Sequence, residues 1–218
     1  MSEYLENIWK NSTSHIPKSV SESWWAFILK KYNENGRNCH NLEFLKEKFN
    51  DLENLKCFIK NLNAFILALF LQYLEYSPQD AECHEKNLQT FYKFSSESGM
   101  DADSELHKHI KCLLEASAVH CTDEHKTEGA YGDSDLHYYL DLDMRILGSS
   151  ENKYAQYIKN IHCEYSFLDE TQYKKLRKKV LQSFLLIPNI FATKYFRDKY
   201  EAQARKNIQQ ELETLAQS

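Results

Sequence analysis

Residues that interrupt helices are scarce in this chain, and this scarcity is the feature that most limits its fold. Only five glycines and three prolines occur among its 218 residues. Folds built from many strands joined by tight turns depend on both residue types, whereas a few long helices need little of either. We therefore predict an all-α fold.

One stretch of the chain is apolar enough to form the centre of such a fold. It runs from Leu62 to Leu74, and only Asn63 and Gln72 interrupt it. The stretch is shorter than the roughly 20 residues that cross a bilayer. Because a helix that is apolar nearly all round belongs inside a bundle, we predict a buried central helix over about 56–75 and no membrane partner.

Apolar residues at helical spacing predict further helices on both sides of the central one. The first begins after Ser21, a candidate N-cap. Residues 1–18 are polar and are interpreted as a lead-in, while 121–132 are interpreted as a surface loop. No repeat or change of composition divides the remainder, so we predict a single domain over 19–218. The other predicted helices cover about 42–55, 82–96, 103–119, 136–147, 151–166, 169–186 and 190–216.

Charge and cysteine content exclude some classes of protein. The net charge is −5, with acidic and basic residues mixed along the chain, which argues against general nucleic-acid binding. The six cysteines include no CxxC pair, and the first ten residues, MSEYLENIWK, lack the apolar core of a secretory signal. We therefore expect reduced thiols and a cytoplasmic location.

Several sequence phrases occur in an order that is typical of one family. Residues 32–43 read YNENGRNCHNLE, and residues 140–148 read LDLDMRILG. Shorter phrases of tyrosine, glutamate, arginine and asparagine continue the series from Tyr154 to Asn207. Over about residues 20–215 the chain resembles a bacterial family of predicted HD-superfamily metal-dependent phosphohydrolases. The resemblance implies an HD-domain-like helical bundle around the buried central helix.

The resemblance also implies a metal site. In HD proteins a histidine, an adjacent His-Asp pair and a distal aspartate hold a divalent ion, which lowers the pKa of a bound water and screens phosphoryl charge. Imidazole and carboxylate ligands suit Mn, Fe, Ni or Zn. The first histidine corresponds to His40 and the distal aspartate to Asp143.

The central pair of this metal site is missing. Gln72 stands where the family has the ligand histidine, and Tyr73 stands in place of the aspartate. Phe44 replaces a second histidine of the first phrase. An acidic phrase after the central helix is replaced by one containing His84, whereas His120 matches a histidine that the family commonly has. Two residual ligands, His40 and Asp143, are too few to hold a catalytic ion tightly.

Two functions are consistent with this pattern. The favoured one is a pseudoenzyme that has lost metal-dependent hydrolysis and acts as a ligand-binding or interaction module, with no cofactor. The alternative is a divergent phosphohydrolase that acts on a nucleotide or small phosphorylated metabolite through a rebuilt Mn, Ni, Fe or Zn site, with recruited groups such as Glu75. No catalytic residue is assigned. The candidate ligand-binding residues are Arg37, His40, Gln72, His84, His120 and Asp143.

Each candidate also has a purely structural interpretation. Arg37 either faces a phosphate or caps a helix, and His40 and Asp143 either line a cleft or satisfy one another. A zinc site built from two Cys-His pairs, at residues 39–40 and 83–84, is a further alternative. The basic run 174–179 suggests anionic lipid or RNA, but Leu176 and Val180 are predicted to face inward, which favours a solvated helix face.

Overall fold

Helices dominate the computed structural model, which describes residues 2–217, with the backbone alone at Ser2. Within these residues no β-strand forms, although Gly132 and Thr193 make an isolated parallel bridge. The predicted all-α class is therefore confirmed. The α-helices are α1 (Ser2–Ser12), α2 (Lys18–Tyr32), α3 (Leu42–Leu52), α4 (Leu62–Leu71), α5 (Cys83–Ser98), α6 (Glu105–Val119), α7 (Asp123–Lys126), α8 (Asp135–Met144), α9 (Glu151–Glu164), α10 (Glu170–Leu186), α11 (Lys194–Phe196) and α12 (Ala202–Gln217).

Contacts within the chain group it into two compact units. The first unit comprises residues 1–120 and contains α1 to α6, and the second comprises residues 121–218 and contains α7 to α12. The second unit also contains a 3-10 turn, Arg145–Gly148, and a π turn, Arg197–Glu201. The single domain over 19–218 stays a prediction.

The segment predicted as a polar lead-in is largely helix α1, and α1 belongs to the core of the first unit. Leu5 and Trp9 are both completely buried. The Trp9 ring meets the Phe70 ring edge-on, with centroids 5.3 Å apart, and its indole N–H donates to the carbonyl of Ser21 at 2.9 Å. Two apolar residues four positions apart thus define a buried stripe inside a mostly polar segment.

The predicted central helix exists, but it is shorter than the predicted range 56–75. Helix α4 covers Leu62–Leu71 and packs against α1, α3, α5 and α6. It begins where the Asn61 side chain accepts a hydrogen bond from the amide of Ala64 at 3.1 Å. Residues 53–58 form turns instead. There the backbone amides of Leu55 and Phe58 donate hydrogen bonds to the carbonyls three residues earlier in the chain.

In the second unit, the long helix predicted over 190–216 is interrupted at its start. Two carboxylates accept the amide hydrogens that a helix would need there. Asp141 accepts from the amides of Ala192 at 2.7 Å and Thr193 at 2.8 Å. Glu201 accepts from the amide of Ile190 at 3.0 Å. Residues 190–193 therefore stay non-helical, and regular helix resumes at α11.

Helices α9, α10 and α12 share a buried charged cluster. The Glu211 carboxylate accepts from Arg177 Nε at 2.7 Å, from Arg177 Nη2 at 3.0 Å and from the Tyr154 hydroxyl at 2.5 Å. Burial, reinforced by the Glu211 charge, raises the pKa of Tyr154. The cluster fixes which side of α10 faces the core. Leu176 and Val180, predicted to face inward, are instead exposed.

The segment predicted as a surface loop over 121–132 contains the short helix α7, whose His125 is buried. His125 Nε2 lies 3.8 Å from Asp141 Oδ1. Burial above all, together with the charges of His137 and Arg197, lowers the pKa of His125 from 6.5 to about 4. Burial also raises the pKa of Asp141 from 3.8 to about 7, against the opposing effect of hydrogen bonds from Thr193 and Ala192.

We expect Glu211→Gln to lower the free energy of unfolding by about 3–5 kcal/mol, because Arg177 would stay buried without a carboxylate. Urea unfolding at neutral pH measures the change. Glu213→Gln, an exposed position on the same helix, should change stability by less than about 0.5 kcal/mol. Equal effects of the two substitutions on the free energy of unfolding would show that the Arg177–Glu211 pair adds no stability of its own.

We expect His125→Asn to add a pH dependence to the free energy of unfolding that the intact His125–Asp141 pair does not contribute. Between pH 4 and 6.5 the native pair holds one proton on Asp141, and the unfolded chain holds one on His125, so the stability contributed by the pair is level. Without His125, Asp141 is protonated in the folded protein and ionised in the unfolded chain. The free energy of unfolding therefore falls by about 1.4 kcal/mol per pH unit, until the pH reaches the folded-state pKa of Asp141, about 7. Parallel stability curves from pH 4 to 7 would contradict this expectation.

Candidate functional site

In the first unit, Gln72, Phe44 and Tyr73 surround one buried lysine. Lys48, on α3, is 1% exposed. Its ammonium donates to Gln72 Oε1 at 2.7 Å. The same nitrogen lies 4.7 Å from the centroid of the Phe44 ring and 5.0 Å from that of the Tyr73 ring. Gln72, Phe44 and Tyr73 therefore all contact an internal cation.

His40 packs into the aromatic residues beside this lysine. Its ring is 3.9 Å from that of Tyr76, at an angle of 31°, and 4.6 Å from that of Tyr73. The Phe44 ring lies 5.5 Å away, edge-on. We call His40, Phe44, Tyr73 and Tyr76 the aromatic cluster. The half-buried imidazole is thus held by ring contacts on several sides.

Arg37 is buried and binds the chain just after α4. Its guanidinium donates to the backbone carbonyls of Tyr73 and Leu74, the latter at 2.8 Å, and to the Glu34 carboxylate at 2.9 Å. These carbonyls follow the last turn of α4, where no helical amide is present to satisfy them. The arrangement favours the capping interpretation of Arg37, while its positive charge lies 5.8 Å from the centroid of the Tyr76 ring.

Gln72 is fixed from two sides but keeps one polar atom unsatisfied. Asn87 Nδ2 donates to the Gln72 carbonyl at 2.6 Å, and Asn87 Oδ1 accepts from the amide of Glu75 at 3.2 Å. Gln72 Nε2 is buried and has no hydrogen-bond partner among the described residues. An unsatisfied buried donor is costly, and it is a common mark of a site that accepts another group.

Two other candidate residues of the first unit come together near the ends of α5 and α6. The rings of His84 and His120 are 6.1 Å apart at an angle of 70°, and both side chains are half-buried. His120 caps α6 in the left-handed conformation, with φ of 55°, and its amide donates to the Ala116 carbonyl. A non-glycine residue with positive φ is uncommon and requires support from its surroundings.

The remaining candidate, Asp143, lies in the second unit. It is buried on α8, two positions after the completely buried Asp141. Asp141 holds residues 192–193, as described above, so the two aspartates of the LDLD phrase cannot be treated as equivalent. The sequence alone did not separate the structural aspartate from the candidate ligand.

Among residues 2–217, no three His, Cys, Asp or Glu side chains lie close enough together to hold a metal ion. The alternative zinc site requires Cys39, His40, Cys83 and His84 to lie together, and these four residues form no such group here. The divalent ion that the HD resemblance implies stays a prediction. Around Lys48 the structure places an amide, a phenol and an ammonium rather than imidazoles and carboxylates.

Two clefts of the described chain lie away from these residues. One, of about 290 Å³, is in the first unit between α2 and α5, and the other, of about 300 Å³, is in the second unit between α9 and α12. None of the six candidate ligand-binding residues lines either cleft. Glu75, considered as a recruited metal ligand, lines the first cleft but is bound by Lys31 at 2.7 Å.

Comparisons with known proteins add no family assignment. No protein-family model, no curated protein and no solved structure matches the chain. Among residues 2–217, no helix combines the length and the hydropathy that crossing a membrane requires.

Lys48, the central residue of this arrangement, is not among the candidate residues predicted from the sequence. A signal was nevertheless present in α3. Leu45, Phe49 and Leu52 recur at the spacing of a buried helix face, and Lys48 occupies a position on that same face. A lysine among buried apolar positions requires a polar partner, and Gln72 on the predicted central helix was an available one.

We expect Lys48→Met to lower the free energy of unfolding by about 1–3 kcal/mol, because Gln72 Oε1 would lose its donor inside the protein. Adding Gln72→Leu should recover most of this loss, since no unsatisfied oxygen would remain. Urea unfolding of both single variants and the double variant completes a thermodynamic cycle. If the effects of the two substitutions simply add, the bond between them does not contribute to stability.

Proposed function

We propose that this protein is an HD-superfamily phosphohydrolase-like pseudoenzyme, which has lost metal-dependent hydrolysis and acts as a ligand-binding or interaction module. The observation that carries the proposal is the Lys48 ammonium bound to Gln72, between Phe44 and Tyr73. Gln72, Phe44 and Tyr73 stand where the family that the sequence resembles has metal ligands or an associated histidine.

The physical basis of the proposal is competition between two cations. A divalent ion placed next to an ammonium is repelled, and the repulsion grows inside a protein, where the effective dielectric constant is low. Ordinary metal sites offset that charge with carboxylates and neutral imidazoles. Gln72 offers only an amide oxygen, which the ammonium already uses, and the two rings attract the same ammonium through their faces.

The same residues support the binding of an anionic ligand, such as a nucleotide or another small phosphorylated molecule. Lys48 and Arg37 both place positive charge beside the aromatic cluster. Gln72 Nε2 supplies a buried donor with no partner among the described residues. Aromatic rings next to such donors are suited to stacking a base. We place this activity in the cytoplasm, where free nucleotides and reduced cysteines occur together.

A divergent metal-dependent phosphohydrolase is the second candidate. The observation that favours it is the pair His84 and His120, whose ring centroids are 6.1 Å apart. Two imidazoles can bind Zn, Ni or Mn weakly, and a substrate phosphate can complete such a site.

Metal content and metal-dependent stability separate the two candidates. We expect the purified, untagged protein to contain less than about a tenth of an equivalent of transition metal by elemental analysis, and its melting temperature to be unchanged by Mn, Ni or Zn. About one equivalent of metal, or a clear rise in melting temperature on metal addition, would overturn the pseudoenzyme proposal. His40→Ala would then test the residual ligand, with His15→Ala, an exposed histidine, as the matched control.

A further inference from the structure

Helix α10 presents lysines and apolar side chains together on its exposed side. Lys175 and Lys179 are both exposed. Leu176 is 39% exposed, Val180 is 38% exposed, and Leu186, at the end of the helix, is 83% exposed. We call these five residues the basic-apolar face. Exposed apolar residues that lie together mark interaction sites more often than singly scattered ones do.

Helical geometry arranges this face as two parallel rows. Residues four positions apart are neighbours on a helix surface, so Lys175 lies beside Lys179 and Leu176 lies beside Val180. The opposite side of the helix is fixed by its buried residues, Tyr173, Arg177 and Leu181. Because Arg177 is bound to Glu211 inside the second unit, the helix cannot rotate to hide the apolar row without breaking that pair.

The positive charge of this face is largely uncompensated. Lys174 lies 3.3 Å from Glu170. Within residues 2–217, Lys175, Lys178 and Lys179 take part in no ion pair. The chain as a whole carries a net charge of −5, so the positive field is local to α10. At physiological salt, charges more than about 8 Å away are largely screened. The electrostatic potential next to α10 is therefore set mainly by its own lysines.

We propose that the basic-apolar face of α10 binds the surface of a bilayer that contains anionic lipids. The helix lies along the headgroup region, where its lysines contact lipid phosphates or carboxylates. Leu176, Val180 and Leu186 enter the boundary between headgroups and acyl chains. Lysines with aliphatic residues on one side of a helix are the features that drive such peripheral, reversible binding. This inference does not depend on the proposed function.

Other occupants fit the face less well. A nucleic-acid backbone would use the lysines but would gain nothing from burying Leu186, Val180 or Leu176. A second copy of the same face would bring lysines against lysines, and like charges repel. A lipid surface alone among these offers negative charge and an apolar layer at adjacent depths, and its fluidity removes the need for a shaped partner.

Vesicle sedimentation of the full chain tests the proposal. We expect binding to phosphatidylcholine vesicles that contain about 30% phosphatidylserine, and little binding to phosphatidylcholine alone. Raising the salt from about 50 mM to about 300 mM should weaken the binding strongly. The variant Lys175→Gln/Lys179→Gln should bind about 25-fold more weakly, since each lysine near an anionic surface contributes about fivefold.

Matched variants separate a specific face from general charge. Lys93→Gln/Lys108→Gln changes the net charge equally at two exposed lysines of the first unit and should leave binding within about twofold of the unaltered protein. Leu186→Ser should weaken binding by about fivefold without altering its salt dependence, because it removes apolar contact alone. All three variants should keep the melting temperature of the unaltered protein, since the replaced side chains are exposed.

Two results would overturn the proposal. The first is failure to sediment with anionic vesicles at low salt, or an equal loss of binding in both lysine variants. The second is binding of a single-stranded RNA of about 20 nucleotides that Lys175→Gln/Lys179→Gln abolishes, with no vesicle binding. That second result would assign the face to nucleic acid instead.

Discussion

The burial of α4 at the centre of the first unit imposes the requirement that organises its surroundings. A helix this apolar is stable only inside a protein, yet the backbone groups at its ends still need hydrogen-bond partners. Asn61 satisfies an amide at the beginning, and Arg37 satisfies carbonyls just beyond the end. Asn87 binds the carbonyl of Gln72. The candidate site therefore lies at the end of α4 because polar side chains are required there in any case.

The dual use of this region explains why structural and functional roles are hard to separate. Arg37 closes the end of α4 and also places a positive charge beside the aromatic cluster. Lys48 satisfies Gln72 and also places positive charge beside the same cluster. In each case one side chain meets a requirement of the fold and also supplies a cation on which the proposed anionic ligand depends.

The sequence predicted the fold class, because glycine and proline are scarce, and it predicted the buried helix, because its apolar residues are nearly continuous. It did not predict where helices begin and end. The limits of α4 depend on Asn61 and Arg37, and the break before α11 depends on Asp141 and Glu201, whose partners are far along the chain. Leu176 and Val180 were assigned to the wrong side of α10, because Arg177, a charged residue, takes the buried position. Lys48 was missed for the same reason: a long-range polar partner made its burial possible.

The contact between Lys48 and Gln72 couples the two positions in any later change of sequence. The loss of Lys48 alone would leave a buried amide oxygen without its donor. Replacing Gln72 alone by an apolar residue would take this acceptor away from a buried ammonium. Because each single change passes through a less stable protein, we expect the two residues to be kept together or replaced together.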